Sequence, residues 1–325
     1  REQHAFPGGL GRDVQADLLV VAAVDPTGPP PAAPRRTSWS MADLLAANFP
    51  PLVWLVPSIL PQAGLAILAG RPKMGKSFLA LQLAVAAGSG GHFLGHNLPQ
   101  RHVEYFALED SPRRLQERCR TIGASATTDV NFETSWRPLN GDGLADLEQR
   151  IRDMHPGLVV VDTLARACSG RLDWNDTAQT VGVLAPLQEL ALQYDTCILL
   201  IDHHRKPNGV NADAIDDVLG STGKVGTIDT ALGLYRKRGE HDCTLRVTGR
   251  DVPDAEFVLQ WDPLMCLWQM AGNARQVKAA SVQQAILDAI RDLGGEATAS
   301  EIATFLNKDK GNISREIGEL LAKGA

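Results

Sequence analysis

The sequence predicts an α/β fold on a mostly parallel sheet, and three observations carry that expectation. Leu65–Ala69, Val103–Leu108, Leu158–Val161 and Cys197–Ile201 are short apolar runs with the length of strands buried on both faces. Helical patterns such as Ser77–Ala87, Pro112–Ile122 and Thr177–Tyr194 follow them, so strand alternates with helix. The 325 residues, 44% hydrophobic and 22% charged, have a globular composition and length enough for about two folded units.

Taken in order, residues 1–37 read as a flexible linker. Gly8-Gly9, Gly11 and Pro26-Thr27-Gly28-Pro29-Pro30-Pro31 disfavour helix and sheet, while apolar Leu18–Val24 reads as a short strand or a piece of a preceding domain. The alternating core spans 38–272. Its later part, Thr230–Tyr235, Thr244–Thr248, Phe257–Trp261 and Cys266–Met270, consists of closely spaced strands that extend the sheet at one edge, with 238–242 as a hairpin turn. A break at Gly272-Asn273-Ala274-Arg275 opens a last unit, 273–325, with helices expected over Ser281–Leu293, Ala299–Leu306 and Ile313–Lys323. The chain opens on Arg1 and closes inside an unfinished motif, and so reads as a segment of something longer.

Charge and cysteine usage narrow the function. Lys and Arg number 32 against 38 Asp and Glu, a net charge of −6, which excludes a protein that coats nucleic acid by bulk electrostatics. Cys119, Cys168, Cys197, Cys243 and Cys266 are odd in number and far apart, as expected of reduced, buried small side chains. No apolar run reaches the about 18 residues of a membrane span, and no secretion signal opens the chain, so no membrane partner and a cytoplasmic location are expected.

Gly70-Arg71-Pro72-Lys73-Met74-Gly75-Lys76-Ser77 satisfies G-x-x-x-x-G-K-S/T and leads into Phe78 and an amphipathic helix. Glycines let backbone N–H groups close on phosphates, and the helix N-terminus adds a favourable dipole. ATP is the expected ligand, with Lys76 on its β- and γ-phosphates and the Ser77 hydroxyl on Mg²⁺. A glycine-rich turn without a ligand is the plainer reading, and the strand before and helix after the motif weigh against it.

Three further strand ends supply chemistry. Leu158–Val161 ends in Asp162, suited to the Mg²⁺ shell. Val103–Leu108 ends in Glu109 and Asp110; Glu109 is the candidate to polarise water, Asp110 its support or alternative, and Ser111-Pro112 a helix cap. Cys197–Ile201 leads through Asp202 to His203 and His204. Adjacent strand residues point to opposite faces, which favours one imidazole facing the γ-phosphate over a shared metal or a solvent-facing pair.

This set resembles the RecA-like P-loop ATPases, most closely the plasmid RepA-type hexameric replicative DNA helicases, an AAA_25-like group, over about residues 50–270. The resemblance implies a RecA-like NTPase core, ATP hydrolysis with Mg²⁺, a homo-hexamer and single-stranded DNA. It makes Glu109 the catalytic carboxylate and His203 and His204 γ-phosphate sensors. It places channel loops at 166–176 and 205–224, with Arg166, Arg171, Arg205, Lys206 and Lys224 either facing DNA or serving as ordinary solvated charge. It also implies an arginine supplied in trans, with Arg236, Arg238 and Arg250 as candidates and a surface salt bridge as the alternative for each. The functions implied are a ring helicase or translocase in plasmid, phage or mobile-element replication, or a non-unwinding regulatory or recombination ATPase of the same fold.

The last unit resembles a winged helix-turn-helix with its second helix starting near Asn312. From Arg275 to Ala325 basic and acidic residues balance, so a replication-protein partner is as well supported as DNA.

Overall fold

The computed structural model describes residues 38–170, 172–203, 222–236 and 242–322, and the chain divides into two units, 1–47 and 48–325. In the first unit Ser40 caps a short exposed helix, α1 (Met41–Ala46), accepting from the Asp43 N–H at 3.1 Å. The linker expected over 1–37, with Leu18–Val24, lies outside the described residues.

The second unit is organised by β3 (Gly64–Gly70), whose seven residues are all buried. Beside it in parallel lie β9 (Cys197–His203), β8 (Leu158–Asp162), β6 (Val103–Ala107) and β7 (Val130–Glu133) on one side, and β10 (Thr230–Tyr235) on the other. From β10 the sheet continues antiparallel through β11 (Cys243–Gly249), β12 (Ala255–Asp262) and β13 (Leu267–Asn273), giving nine strands in the order β13-β12-β11-β10-β3-β9-β8-β6-β7. The expected edge extension is present; its turn at 238–241 is outside the described residues.

Strand pleating sends alternate side chains to opposite faces, and both faces are covered. Ala66, Leu68, Tyr105, Val160 and Leu199 pack with Leu79, Leu83 and Ala84 of α2 (Lys76–Ser89). Leu65, Ile67, Phe106, Val159, Val161, Ile198 and Leu200 pack with Leu147 and Ile151 of α4 (Gly143–Met154) and with Leu184 and Leu187 of α6 (Thr177–Gln193). Between them in sequence are α3 (Pro112–Thr121) and the four-residue α5 (Leu164–Ala167); α7 (Thr222–Thr227) precedes β10.

Several elements are absent from the sequence reading. The two-residue pairings of β1 (Trp54–Val56) with β2 (Leu60–Pro61) and of β4 (His92–Phe93) with β5 (His96–Asn97) are too short for a periodic signal. The helix expected from Ser281 begins earlier, inside the break read at 272–275: α8 (Ala274–Asp292) starts directly after β13 and packs on β12 and β13, and that tertiary support overrides the break. The five cysteines are free thiols, but only Cys197 and Cys243 are buried; Cys119, Cys168 and Cys266 are half-buried. Burial pushes the Cys197 thiol up to about 12.

α8, α9 (Ala299–Phe305) and α10 (Lys310–Ala322) enclose a core of Ile286, Ala289, Ile302, Ala303 and Ile313. A capping box of Thr298 and Glu301 opens α9, and the Asp309 carboxylate accepts from the Asn312 N–H at 3.0 Å, starting α10 ahead of the expected Ile313. No strand accompanies these helices within 274–322, so the wing is not among the described residues. No helix of the described residues is long and apolar enough to cross a membrane.

Candidate active site

β3, β6, β8 and β9 run parallel, so their carboxyl ends meet at one edge, where parallel sheets present ligand-binding groups. The loop from Gly70 to Gly75 turns there. Lys73 and Gly75 take left-handed conformations, φ 65° and 88°, and Gly75 is the residue before α2. A Cβ on Gly75 would lie 2.9 Å from Trp268 Cζ2, so both backbone and space demand glycine. Arg71, Pro72 and Lys73 are exposed, Met74 is buried beneath the loop, and Phe78 is half-buried at its far end.

Lys76 reaches back under this loop. Its Nζ donates to Gly70 O at 2.8 Å and Arg71 O at 3.1 Å and faces His203 Nδ1 at 3.2 Å. Nδ1 can accept from the ammonium only in the neutral, Nε2–H tautomer. Burial lowers the Lys76 pKa, and Asp162, Asp202 and Glu109 oppose that shift. The ammonium therefore sits where it can exchange backbone carbonyls for phosphate oxygens. His203 is brought to the loop; His204 lies outside the described residues.

Asp162 ends β8 on the face that α2 covers. Tyr105 OH donates to its Oδ2 at 3.0 Å, and the Ser77 hydroxyl is near the same carboxyl. Burial pushes the Asp162 pKa up while Ser77 and Tyr105 oppose that shift, and its Oδ1 is buried with no hydrogen-bond partner. An orphaned carboxylate oxygen beside a hydroxyl is a donor set of the hard-oxygen kind that Mg²⁺ takes, so these residues fit the ion. Burial likewise pushes the phenol of Tyr105 well above its ordinary value, with the Asp162 charge adding to it.

The two carboxylates after β6 divide. Asp110 is held by Arg114 at 3.0 Å and by Arg118, while Ser111 caps α3 with Pro112 at its first turn. Glu109 turns the other way: its Oε1 accepts from Thr163 Oγ1 at 3.0 Å, with Arg166 Nε at 3.9 Å, and it lines the cavity. Glu109 is thus the carboxylate available to a ligand, and Asp110 organises α3.

The cavity, about 580 Å³, runs from the loop past Glu109, Thr163 and His203 to Arg118, Arg236, Trp261 and Trp268. The Trp261 and Trp268 rings lie 4.9 Å apart, Trp261 meets Phe78 edge-on at 5.4 Å, and the Arg118 guanidinium stacks over Phe78 at 4.8 Å. This aromatic wall was not read from the sequence, since its members come from α2, α3 and two antiparallel strands.

The remaining expected residues scatter. Arg236 stands exposed at the end of β10 on the site edge. Arg250 is at the opposite edge, where it pairs with Asp229 at 3.2 Å and donates to Gly226 O. Arg238, Arg171, Arg205 and Lys206 lie outside the described residues. Lys224, expected as a loop cation, is buried: it pairs with Asp202, next to His203, and its ammonium lies 5.2 Å from the Trp174 ring centre.

A phosphate loop on a central strand, a buried Asp one strand removed from it and a cavity-lining carboxylate on the next define a P-loop ATPase with a RecA-like core. A family model for an AAA domain, AAA_25, matches residues 29–209, more than half of the chain, and the chain belongs to that family. Two solved structures share the fold, each at 15% identity and a TM-score of 0.50 over 64% of this chain. One is an ATPase domain, 84% covered, and the other a DnaB-like replicative helicase described with its interactions with primase, 58% covered. No curated protein sequence matches.

Proposed function

We propose that the protein is an ATP-driven, ring-forming DNA helicase or translocase of the RepA type, working on single-stranded DNA in plasmid, phage or mobile-element replication in the cytoplasm. The observation that carries this reading is the convergence of Lys76, Ser77, Asp162, Glu109 and His203 at one sheet edge, from the ends of four parallel strands.

In this reading Lys76 and the loop N–H groups hold the β- and γ-phosphates, and Ser77 and Asp162 would hold Mg²⁺, which when bound would supply positive charge against the phosphates. Glu109, kept in place by Thr163, orients water, and His203 registers whether Lys76 is engaged with phosphate or with the loop carbonyls. Asp202, adjacent to His203, is tied through Lys224 to Trp174, so the sensor connects to the segments expected to face a central channel. One of Arg236, Arg238 and Arg250 completes the site of a neighbouring subunit, and Arg236 is the described one on the site edge.

The test is ATPase turnover with and without single-stranded DNA, together with particle size with and without ATP and Mg²⁺. Stimulated turnover and a nucleotide-dependent ring support the reading. Turnover indifferent to DNA from a particle that never assembles overturns it in favour of a regulatory or recombination ATPase.

A further inference from the structure

β13 is the edge strand, four places from β3 in the sheet, yet its Trp268 is 2% exposed and lies against the phosphate loop. The sheet curls far enough for the strand to return onto α2. The indole Nε1–H donates to Gly75 O at 3.2 Å, and the ring fills the space beside Gly75. Gln82, about two turns further along α2, uses both ends of its amide on the Trp268 backbone: Nε2 donates to Trp268 O, and Oε1 accepts from Trp268 N–H, each at 2.9 Å. The amide takes the place of a next strand and satisfies the exposed edge of β13.

Gly75 is where the loop hands over to α2, and a glycine at φ 88° has wide backbone freedom. Fixing its carbonyl fixes the peptide plane whose N–H belongs to Lys76, the first donor of the helix. We propose that Trp268 is a positioning residue of the phosphate loop, set in place by Gln82, and that it holds the loop in its phosphate-receiving shape before any ligand arrives. The inference rests on reading Gly70–Ser77 as a triphosphate cradle.

An unbraced loop occupies the competent shape for only a fraction of the time, and apparent affinity falls by that fraction. Losing one neutral hydrogen bond corresponds to about a three- to tenfold change. Trp268→Phe removes the N–H donor and keeps an aromatic ring. Gln82→Met keeps the ring and its N–H but releases the strand. Each is measured on the full chain by calorimetry with ATP and with inorganic tripolyphosphate, and by steady-state ATPase, with a thermal melt as the folding control.

The expected result is a rise in KM for ATP of about three- to tenfold with kcat within about twofold, and an equal loss of affinity for tripolyphosphate. A loss confined to ATP assigns the ring to the nucleobase and overturns the proposal. Unchanged affinity in both variants also overturns it. Should Trp268→Phe fail to fold, Gln82→Met decides by the same readings. A wild-type chain that binds neither ligand defeats the cradle reading instead, which separates the two failures.

Discussion

At the far end of β6 from the site, His102 is clamped between two carboxylates. Its Nε2 lies 3.0 Å from Glu104 Oε1 and its Nδ1 2.8 Å from Asp129 Oδ1, so both ring nitrogens must donate and the ring is held as imidazolium. Burial works against that charge, but hydrogen bonds to Glu104 and Asp129 and their charges outweigh it, and the His102 pKa is raised. Glu104 is wholly buried; Asn131 Nδ2 donates to its Oε1 at 3.1 Å, and Arg150 approaches Oε2 at 3.6 Å. Asp129 is half exposed, so solvent screens its share.

A group whose folded pKa is raised stabilises the fold fully below its unfolded value and loses that contribution as pH climbs through the folded one. For His102 the loss therefore begins above about pH 6.5. One charge-assisted bond contributes about 1.5–3 kcal/mol, and with the second screened the expected total lies near the lower end, about 1.5–2 kcal/mol. At about 2–4 °C per kcal/mol, this corresponds to roughly 3–8 °C in Tm. The assay is a series of thermal melts between pH 5.5 and 9 for the wild type and His102→Gln, read as the difference between the two curves, which removes the titration of every other group. The gap should be widest at low pH and close as pH rises. Parallel curves would refute the reasoning.

Three other outcomes follow from the geometry. Lys76→Ala should abolish nucleotide binding and turnover together, whereas Glu109→Gln should bind ATP and fail to hydrolyse it; equal loss of binding in calorimetry would undo the role given to Glu109. Lys224→Met strands Asp202 without its buried counter-charge and should cost about 3–5 kcal/mol, while adding Asp202→Asn should recover most of it; a double variant no better than the single would contradict the pairing. Ile313→Ala empties part of the small core of α8, α9 and α10 at a cost of about 2–4 kcal/mol. Hydrogen exchange should rise over 299–322 and stay unchanged in β3, β8 and β9; a rise throughout would mean that the helices and the sheet unfold together.

The site was legible in the sequence to the extent that its parts are local. The turn of Gly70–Ser77, the placement of Asp162, Glu109 and His203 at strand ends, and the Ser111-Pro112 cap all depend on a few consecutive residues, and apolar runs of strand length located β3, β6, β8 and β9. Short pairings such as β1 with β2 were not legible, because two or three residues carry no period. Glu109 was preferred to Asp110 from the sequence, but the contacts that separate them were not legible, since they depend on where Arg114, Arg118 and Thr163 fall once α3 and β8 have packed.

Only the tertiary structure decided which distant side chains complete that edge. Tyr105 reaches Asp162 across 57 residues because strand parity turns both toward α2, and Trp268 reaches Gly75 across 193 because the antiparallel extension curls back over the same helix. Lys224, an ordinary loop cation by its sequence, became a buried partner of Asp202. Sequence spacing determines what a loop or strand end can do within about one turn of chain. Contacts between elements depend on sheet order, pleat and curvature, which are set by the burial of both faces at once and leave no local mark on the residues involved.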